Sequence, residues 1–367
     1  MFDYNERIQT YETDLVNLTQ AIKDNLRDHR EANRKRLKNN LPNNIRINDG
    51  HFIPQGSMAI QTTVQEKGNS YDIDDGVWFY AEDLKKEDRT DKTVRETQEM
   101  VRNALEDPKF DKKPDIHGNC VRVFYKEGHH VDVPAYRKFD EGTDLERQEL
   151  AGENGWTASN PTEINGWFEE RVRELNRQRE GLGNQLRKMI RLLKRFARSR
   201  GDSWDMPNGL KLTMLTEEKM PTSYERDDEC FYWLMRLLSD RLAHSLEIEN
   251  RAQTNAPRDK LTKSSSDPNM IELRDHIAKA LEKLRTLHQP ECTQKQAREA
   301  WEWIFQSEGY FEAYDKDPAK TRTLFNKAAS ISAGIAGTNS SGVIGPAKDG
   351  ARVPNPPHKF YGEVPKK

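Results

Sequence analysis

Two segments decide the fold: QGSM at residues 55–58 and SYDIDDGVWF at residues 70–79. The second segment predicts a strand. Because successive strand side chains point to opposite faces, Asp72 and Asp74 share one face while Ile73 and Val77 occupy the other. At a separation of roughly 4 Å, two carboxylates repel by about 4 kcal/mol even at an effective dielectric constant near 20. The strand therefore needs a partner that neutralises both charges, and a divalent ion such as Mg²⁺ is the natural one.

A loop and a third carboxylate extend this pattern. Gly56 lets the backbone approach a phosphate closely, and the Ser57 hydroxyl and the neighbouring amides can donate hydrogen bonds to it. Asp132 lies in HHVDVP at residues 129–134, a predicted strand on which Val131 and Val133 face away from it. An Asp-x-Asp strand alone is more often a solvated edge or the start of a turn. The added Gly-Ser loop and strand aspartate favour a two-metal site for phosphoryl transfer.

These motifs resemble the signature of the polymerase-β-like nucleotidyltransferase superfamily, and their wording resembles the bacterial cGAS/DncV-like nucleotidyltransferases (CD-NTases). The resemblance covers roughly residues 50–135 and continues more loosely through LLKRF at residues 192–196 and the C-terminal half. It implies an α/β (α+β) fold with two lobes: a mixed sheet in the N-terminal lobe, a long N-terminal spine helix and a helical C-terminal lobe. The spacer from Ser57 to Asp72 is longer than the commonest superfamily pattern.

The resemblance also implies the site residues. The catalytic, metal-binding set is Asp72, Asp74 and Asp132, and the cofactors are two Mg²⁺ or Mn²⁺ ions. The nucleotide-binding set is Gln55, Gly56, Ser57, Lys194 and Ser223.

Several of these residues have structural alternatives. Lys194 lies on a helical stripe with Arg187, Arg191 and Arg198, and such a stripe is most often a solvated face. The hydroxyls around Ser223 are explained equally well by a capping box in which Thr222 and Glu225 begin the next helix.

Three further charged positions are expected to be structural. Asp75 points away from the aspartate pair and precedes Gly76, which favours a turn or bulge. His129 and His130 favour a hairpin turn over a metal site, because the sequence shows no Cys or His at ligand spacing around them.

The activity that the resemblance implies is the joining of nucleoside triphosphates, ATP among them, into a cyclic di- or trinucleotide second messenger with release of pyrophosphate. The setting it implies is antiphage signalling of the CBASS type, with a downstream effector reached through the product and with accessory regulatory proteins. One alternative is a nucleotidyltransferase that modifies a linear RNA, a protein or a small molecule. Another is a catalytically dead module that only binds nucleotides.

The composition sets limits on partners and location. The 367 residues include 59 Lys and Arg against 61 Asp and Glu, and the net charge of −2 predicts no strong binding to nucleic acid. Three widely spaced cysteines favour reduced thiols in a cytoplasmic protein. The sequence contains no apolar run of the roughly 18 residues that a membrane span needs.

The chain order predicts a catalytic lobe at residues 1–160, a helical lobe at 161–332 and an extended or disordered tail at 333–367. One helix is expected over residues 5–39, ending in an arginine-rich, solvated stretch, and another over residues 164–199. A short helix is expected at residues 93–105, and strands at 119–125 and 130–136. Residues 140–162, rich in Gly and Asn, are expected to connect the lobes. Caps at Asp267 and at Thr293 with Gln296 predict two later helices.

Overall fold

The computed structural model describes residues 1–65, 72–254, 257–332, 336–338 and 344–346. Two large hydrophobic cores organise these residues. One core packs the N-terminal sheet against two helices, and the other packs the helices of the C-terminal half around the first turns of the chain. A cleft lies where the two meet, and the site described below occupies it.

The sheet is mixed, as expected. Its strands are β1 (Phe52–Gln55), β2 (Asp72–Tyr80), β3 (Asp115–His117), β4 (Cys120–Phe124), β5 (His130–Val133), β6 (Ala135–Phe139), β7 (Arg147–Gly152) and β8 (Gly155–Ala158). Strand β2 is central: β5 and β6 run parallel to it in succession across Pro134, and β1 runs antiparallel to it. Its Ile73, Val77 and Phe79 are buried in the sheet core, which fixes the face on which its even-numbered side chains lie.

Helices make up most of the rest of the described chain. In order they are α1 (Asn5–Tyr11), α2 (Gln20–Asn40), α3 (Gly56–Ala59), α4 (Val94–Leu105), α5 (Pro161–Gln178), α6 (Leu182–Arg198), α7 (Gly209–Glu218), α8 (Asp227–His244), α9 (Pro268–Leu284), α10 (Gln294–Phe305), α11 (Tyr310–Lys316) and α12 (Pro318–Ser332). Among the described residues, no helix combines the length and the apolarity that a bilayer crossing requires.

The prediction of one continuous N-terminal spine helix is wrong. Helix α1 passes into a π-helical turn at Glu12–Val16, and the chain is extended at Asn17 before Thr19 caps α2 by accepting a hydrogen bond from the amide of Ile22. The two helices on either side of this break pack into different hydrophobic cores. Residues of α1 belong to the helical core, whereas the apolar side of α2 belongs to the sheet core. The segment still spans both lobes, but as two helices.

The arginine-rich end of α2 is not a solvated face. Arg34 donates to both oxygens of the buried Asp75, at 2.7 and 2.5 Å, and Arg36 pairs with Asp107. The turn predicted at Asp75 is therefore wrong. Asp75 lies inside β2 and anchors the spine to the strand that carries the aspartates.

Two other expectations about elements need correction. The helix predicted over residues 164–199 is two helices, α5 and α6, because Gly181 takes a φ of +79° between them. Residues 140–162 are not only a connection, since β7 and β8 form an antiparallel hairpin that widens the sheet. The strand predicted at 119–125 and the helix at 93–105 are confirmed, and the strand predicted over 130–136 is found as β5 and the start of β6.

The predicted caps have mixed outcomes. Asp267 caps α9, and Thr293 forms a capping box with Gln296 at the start of α10, as expected. The prediction of a capping box at Thr222 and Glu225 is wrong, because α8 begins at Asp227. The residue at its N-cap is Arg226, whose side chain makes no capping hydrogen bond with the described residues. The predicted tail lies outside the described residues except for two short paired strands, β9 (Ala336–Thr338) and β10 (Ile344–Pro346).

Candidate active site

Adjacent strands bring the three predicted aspartates together. Strand β2 and strand β5 pair in parallel with Asp74 opposite Asp132 and Asp72 opposite His130. Aligned residues on neighbouring strands project from the same face, so Asp74 and Asp132 stand side by side. The Asp72 side chain is 46% exposed at the start of the strand, whereas that of Asp132 is 9% exposed.

The charged form of Asp74 is disfavoured in this cluster. Burial in the cleft, together with repulsion from Asp132 and Asp72, raises the pKa of Asp74 to about 7. The positive charge of Arg122 lowers this pKa but does not offset burial and the two neighbouring carboxylates. This is the electrostatic condition expected of a residue that meets a cation.

Two positively charged or polar side chains already contact the cluster. Arg122 on β4 donates to both oxygens of Asp132, Nε to Oδ1 and Nη2 to Oδ2, each at 2.7 Å. Its Nη2 is also 3.9 Å from Oδ1 of Asp72. On the other side, His130 Nδ1 lies 3.1 Å from the same Asp72 oxygen. Arg122 is not among the residues predicted from sequence, although the alternation of β4 against β5 places it opposite Asp132.

The Gly-Ser loop reaches this cluster from β1. Gln55 pairs with Asp74 across β1 and β2, and Gly56 follows at the N-terminus of the short helix α3. Gly56 has a φ of +69°, and a Cβ placed on it would lie 1.9 Å from Oδ2 of Asp74. Only glycine fits here, because any side chain would collide with the carboxylate. Ser57 shares a hydrogen bond of 2.9 Å with Thr63.

Lys194 enters the same cleft from the helical lobe. Its side chain is buried, and its Nζ donates to the carbonyl oxygen and to the hydroxyl of Thr62 at 3.2 and 3.0 Å. Burial, with smaller contributions from Arg198 and Arg191, lowers the pKa of Lys194 to about 7. Gly209 at the start of α7 makes room for it, since a Cβ there would lie 3.3 Å from the lysine Cε.

The basic stripe of α6 is solvated only at Arg198, and its other three members pack against the loop after α3. Arg187, Arg191 and Lys194 each donate to a backbone carbonyl of the loop after α3, those of Ile60, Gln61 and Thr62 in turn. Arg191 also pairs with the buried Glu12. The stripe therefore holds the Gly-Ser loop against the helical lobe and positions Lys194 beside it.

A cavity of about 320 Å³ joins these features, within the usual range for a ligand site. From the sheet lobe it is lined by residues 55–57, 60, 62–64, 72 and 74, and from the helical lobe by Pro161, Ile164, Asn165, Lys194, Arg198, Gly209, Leu210 and Thr213. Gln55 adds a buried amide nitrogen without a hydrogen-bond partner among the described residues. The wall thus combines carboxylates, a lysine, an amide donor and an apolar patch.

Ser223 stands apart from this assembly. It is exposed in the turn before α8 and, of the described residues, is not among those that line the cavity. Its assignment to the nucleotide remains a prediction without structural support. Thr62 and Thr213, which do line the cavity, were missed because an isolated threonine carries no sequence signal of its own.

His129, in the β4–β5 turn, has a partner that sequence spacing does not reveal. His29 on α2 brings its Nδ1 to 2.7 Å from Nε2 of His129, with Glu127 nearby. Burial lowers the pKa of His129 to about 3, so its ring is neutral near pH 7. Two imidazole nitrogens on a tetrahedral zinc ion would be about 3.3 Å apart, given metal–nitrogen distances of about 2.0–2.1 Å. The closer approach fits a hydrogen bond between the rings, which supports the structural interpretation of this turn.

The aspartate cluster fits divalent metal ions in its donor set. Hard carboxylate oxygens are the ligands that Mg²⁺ and Mn²⁺ prefer, and the raised pKa of Asp74 marks uncompensated negative charge. Asp72 and Asp74 face the cavity. Both oxygens of Asp132 accept a hydrogen bond from Arg122, so a metal ion at Asp132 would compete with that ion pair.

Comparison with known proteins supports the family resemblance. Residues 50–136 match the family model described as "Cyclic GMP-AMP synthase DncV-like, nucleotidyltransferase domain". Among solved structures, the chain is similar to Vibrio cholerae DncV cyclic AMP-GMP synthase in complex with a linear intermediate, 5′ pppA(3′,5′)pG (TM-score 0.62, 16% identity, 82% of this chain and 95% of that chain).

Two further structures give the same result. One is Escherichia coli DncV with 3′-deoxy GTP bound (TM-score 0.60, 18% identity, 83% of this chain and 96% of that chain). The other is the Bradyrhizobium diazoefficiens CD-NTase CdnG in complex with GTP (TM-score 0.61, 15% identity, 83% and 96%). At such identities the likeness shows a shared fold. It confirms the α/β fold, and the family model identifies residues 50–136 as similar to a nucleotidyltransferase domain.

Proposed function

We propose that this chain, a bacterial cGAS/DncV-like nucleotidyltransferase by the family of its residues 50–136 and by its fold, joins nucleoside triphosphates into a cyclic di- or trinucleotide with release of pyrophosphate at each bond. One observation carries the proposal. A cavity between the two lobes is lined by strand aspartates on one side and by a buried lysine on the other. That arrangement suits a ligand made of metal cations and a triphosphate.

Within this proposal, hydrogen-bond donors and a lysine of the chain bind the triphosphate. The hydroxyl of Ser57, the amides beside Gly56 and the side-chain amide nitrogen of Gln55 donate to the triphosphate oxygens. Lys194 adds a point charge on a flexible stem, which suits a phosphate whose charge moves during transfer. The loop contacts of α6 keep these donors at the cavity wall, so positioning is achieved before the chemistry.

The aspartates are proposed to hold two divalent ions. Asp72 and Asp74 would ligate both, and Asp132 the ion nearer the attacking ribose hydroxyl. When bound, such ions polarise the phosphoryl oxygens and lower the pKa of that hydroxyl. The hydroxyl oxygen would then attack the α-phosphorus and give up its proton to solvent, while the bond from the α-phosphorus to the bridging oxygen breaks and pyrophosphate leaves with the electron pair. The raised pKa of Asp74 makes this ligand set sensitive to pH.

Cyclisation requires the same pocket to act more than once on one chain. The Vibrio cholerae relative binds a linear dinucleotide intermediate, and we carry that sequence of steps over to this chain. ATP is among the expected substrates. The product would serve as a cytoplasmic second messenger in antiphage signalling, acting on an effector and under the control of accessory proteins. The resemblance is the support for this biological setting.

The test is to incubate purified protein with four nucleoside triphosphates and Mg²⁺ or Mn²⁺ and to determine the product masses before and after phosphatase treatment. A phosphatase-resistant product with the mass of a cyclic oligonucleotide supports the proposal. A product with a free 3′ end would instead support transfer to a linear acceptor, and nucleotide binding without pyrophosphate release would support a regulatory module.

A test variant and a control variant make the same change, aspartate to asparagine, at different places in the sheet. Asp72→Asn with Asp74→Asn removes the paired charges, and we expect no pyrophosphate above background. Asp115→Asn changes an exposed aspartate on β3 of the same sheet, and we expect wild-type turnover. Equal turnover in the wild type and the double variant would reject the proposed site.

A further inference from the structure

Arg122 occupies both oxygens of the third aspartate. It lies on β4 directly opposite Asp132 on β5, and its guanidinium makes two hydrogen bonds of 2.7 Å to that carboxylate. The Arg122 side chain is 23% exposed and that of Asp132 is 9% exposed. Short, bidentate, largely buried pairs of this kind are the strongest that arginine makes.

A guanidinium and a divalent ion compete for one carboxylate, because both are cations that bind its oxygen lone pairs. A carboxylate that accepts two parallel bonds from arginine has used the oxygen directions that face its partner. An ion that uses either of these two lone pairs displaces a hydrogen bond to Arg122, and an ion on the remaining sites is repelled by the fixed positive charge of the guanidinium. Arginine cannot give way by losing its proton, so the guanidinium has to move.

The guanidinium also lies close to a second aspartate. Nη2 of Arg122 is already 3.9 Å from Oδ1 of Asp72, so the guanidinium lies between two of the three aspartates. Three carboxylates and one guanidinium leave a formal charge of −2, which one divalent ion neutralises. A second ion then requires the negative charge of a triphosphate.

We infer that Arg122 is a positioning residue that competes with divalent cations for Asp132, so that this aspartate becomes a metal ligand only as the arginine bridge opens. The inference rests on the proposed function and adds to it an order of events. Asp72 and Asp74 accept the first ion, and Asp132 is recruited last, with the nucleotide. Arg122 thereby keeps the site from filling with metal in the absence of substrate.

The experiment measures metal affinity directly, by titrating Mn²⁺ into the full-length protein and following the free ion by electron paramagnetic resonance, with and without a non-hydrolysable ATP analogue. Arg122→Gln should bind Mn²⁺ in the absence of nucleotide at least tenfold more tightly than the wild type, and the analogue should narrow that difference. Arg122→Lys, which keeps the charge but cannot form the fork, should fall between the two.

A matched arginine provides the control. Arg137 on β6 pairs with Glu149 across β6 and β7 of the same sheet, away from the aspartates, and Arg137→Gln should leave the Mn²⁺ affinity at the wild-type value.

Equal or weaker Mn²⁺ binding by Arg122→Gln would overturn the inference and leave the proposed function standing, because Arg122 would then merely hold Asp132 in place for the ion. If Arg122→Gln does not fold, Arg122→Lys decides the matter: tighter binding than the wild type supports the inference, and equal or weaker binding overturns it. A wild type that binds no Mn²⁺ even with the analogue would overturn the proposed function as well.

Discussion

Replacing Asp74 by asparagine should stabilise the folded protein at pH 8 while it abolishes turnover. The charged carboxylate is unfavourable where it lies, because burial and two neighbouring aspartates raise its pKa to about 7. A carboxyl group whose folded-state pKa exceeds its unfolded value costs the protein stability as the pH rises between those two values. The amide of asparagine has nearly the same shape and no charge, so it removes that cost.

The size of the effect follows from the shift. The difference between an ordinary 3.8 and about 7 corresponds to about 4 kcal/mol at pH 8, at about 1.36 kcal/mol per pKa unit. At pH 5 the folded-state carboxyl is mostly protonated, and the cost falls to roughly 2 kcal/mol. The gain from Asp74→Asn should therefore be about twice as large at pH 8. In a chain of this length we expect a rise in Tm on the order of 5 °C at pH 8.

Differential scanning fluorimetry in EDTA at pH 5 and pH 8 measures this gain, and a pyrophosphate assay confirms the loss of turnover. Asp75→Asn is the control, because the same change one residue along removes a partner of Arg34 and should lower Tm at both pH values. The reasoning is refuted if Asp74→Asn leaves Tm unchanged or lower at pH 8, or raises it equally at the two pH values.

Three other substitutions test the site and its support. Gly56→Ala should reduce pyrophosphate release at least 100-fold with the fold retained by circular dichroism, because its Cβ would collide with Asp74; activity above a tenth of wild type would contradict this. Lys194→Ala should raise the KM for the triphosphate at least tenfold, and the weakening of nucleotide binding above pH 7 in the wild type, where the lysine loses its proton, should disappear; an unchanged KM would remove Lys194 from the site. Arg34→Ala should destabilise the protein by about 3–5 kcal/mol in chemical denaturation by leaving Asp75 buried without its partner, and a loss below about 1 kcal/mol would mean that this anchor is unimportant.

The sequence was most informative where short-range pattern and chemistry coincide. Alternation along residues 72–79 and 130–133 placed the aspartates on one face, and the structure pairs those strands in the register that this requires. Gly56 was predicted to allow a close approach to a phosphate, and the close approach seen in the structure is to the Asp74 carboxylate. The alternation of side chains along a strand depends only on the nearest few residues, so it can be predicted without knowledge of the tertiary structure.

The errors lie where long-range contacts decide. The spine helix is broken at Asn17 because the apolar residues before and after the break pack into two different cores. The periodicity of apolar residues in the sequence is the same whether they pack into one core or two. Composition predicts solvated faces for the arginines of α2 and α6, because their acidic and carbonyl partners, such as Asp75 and Gln61, lie far away in sequence. Arg122 was missed for a related reason: its meaning depends on the strand it faces.

The two opposite pKa shifts in the cavity agree with the proposed ligand, a complex of metal ions and a triphosphate. Burial raises the pKa of Asp74 and lowers that of Lys194, each to about 7, so both residues are held where their charged forms are disfavoured. A metal ion alone would relieve the aspartate and repel the lysine, and a free triphosphate would do the reverse. A metal–triphosphate complex satisfies both residues together. The electrostatics of the cavity wall therefore favour the complex over either component, which is the selectivity that a nucleotidyltransferase needs before it can bring a hydroxyl to the α-phosphorus.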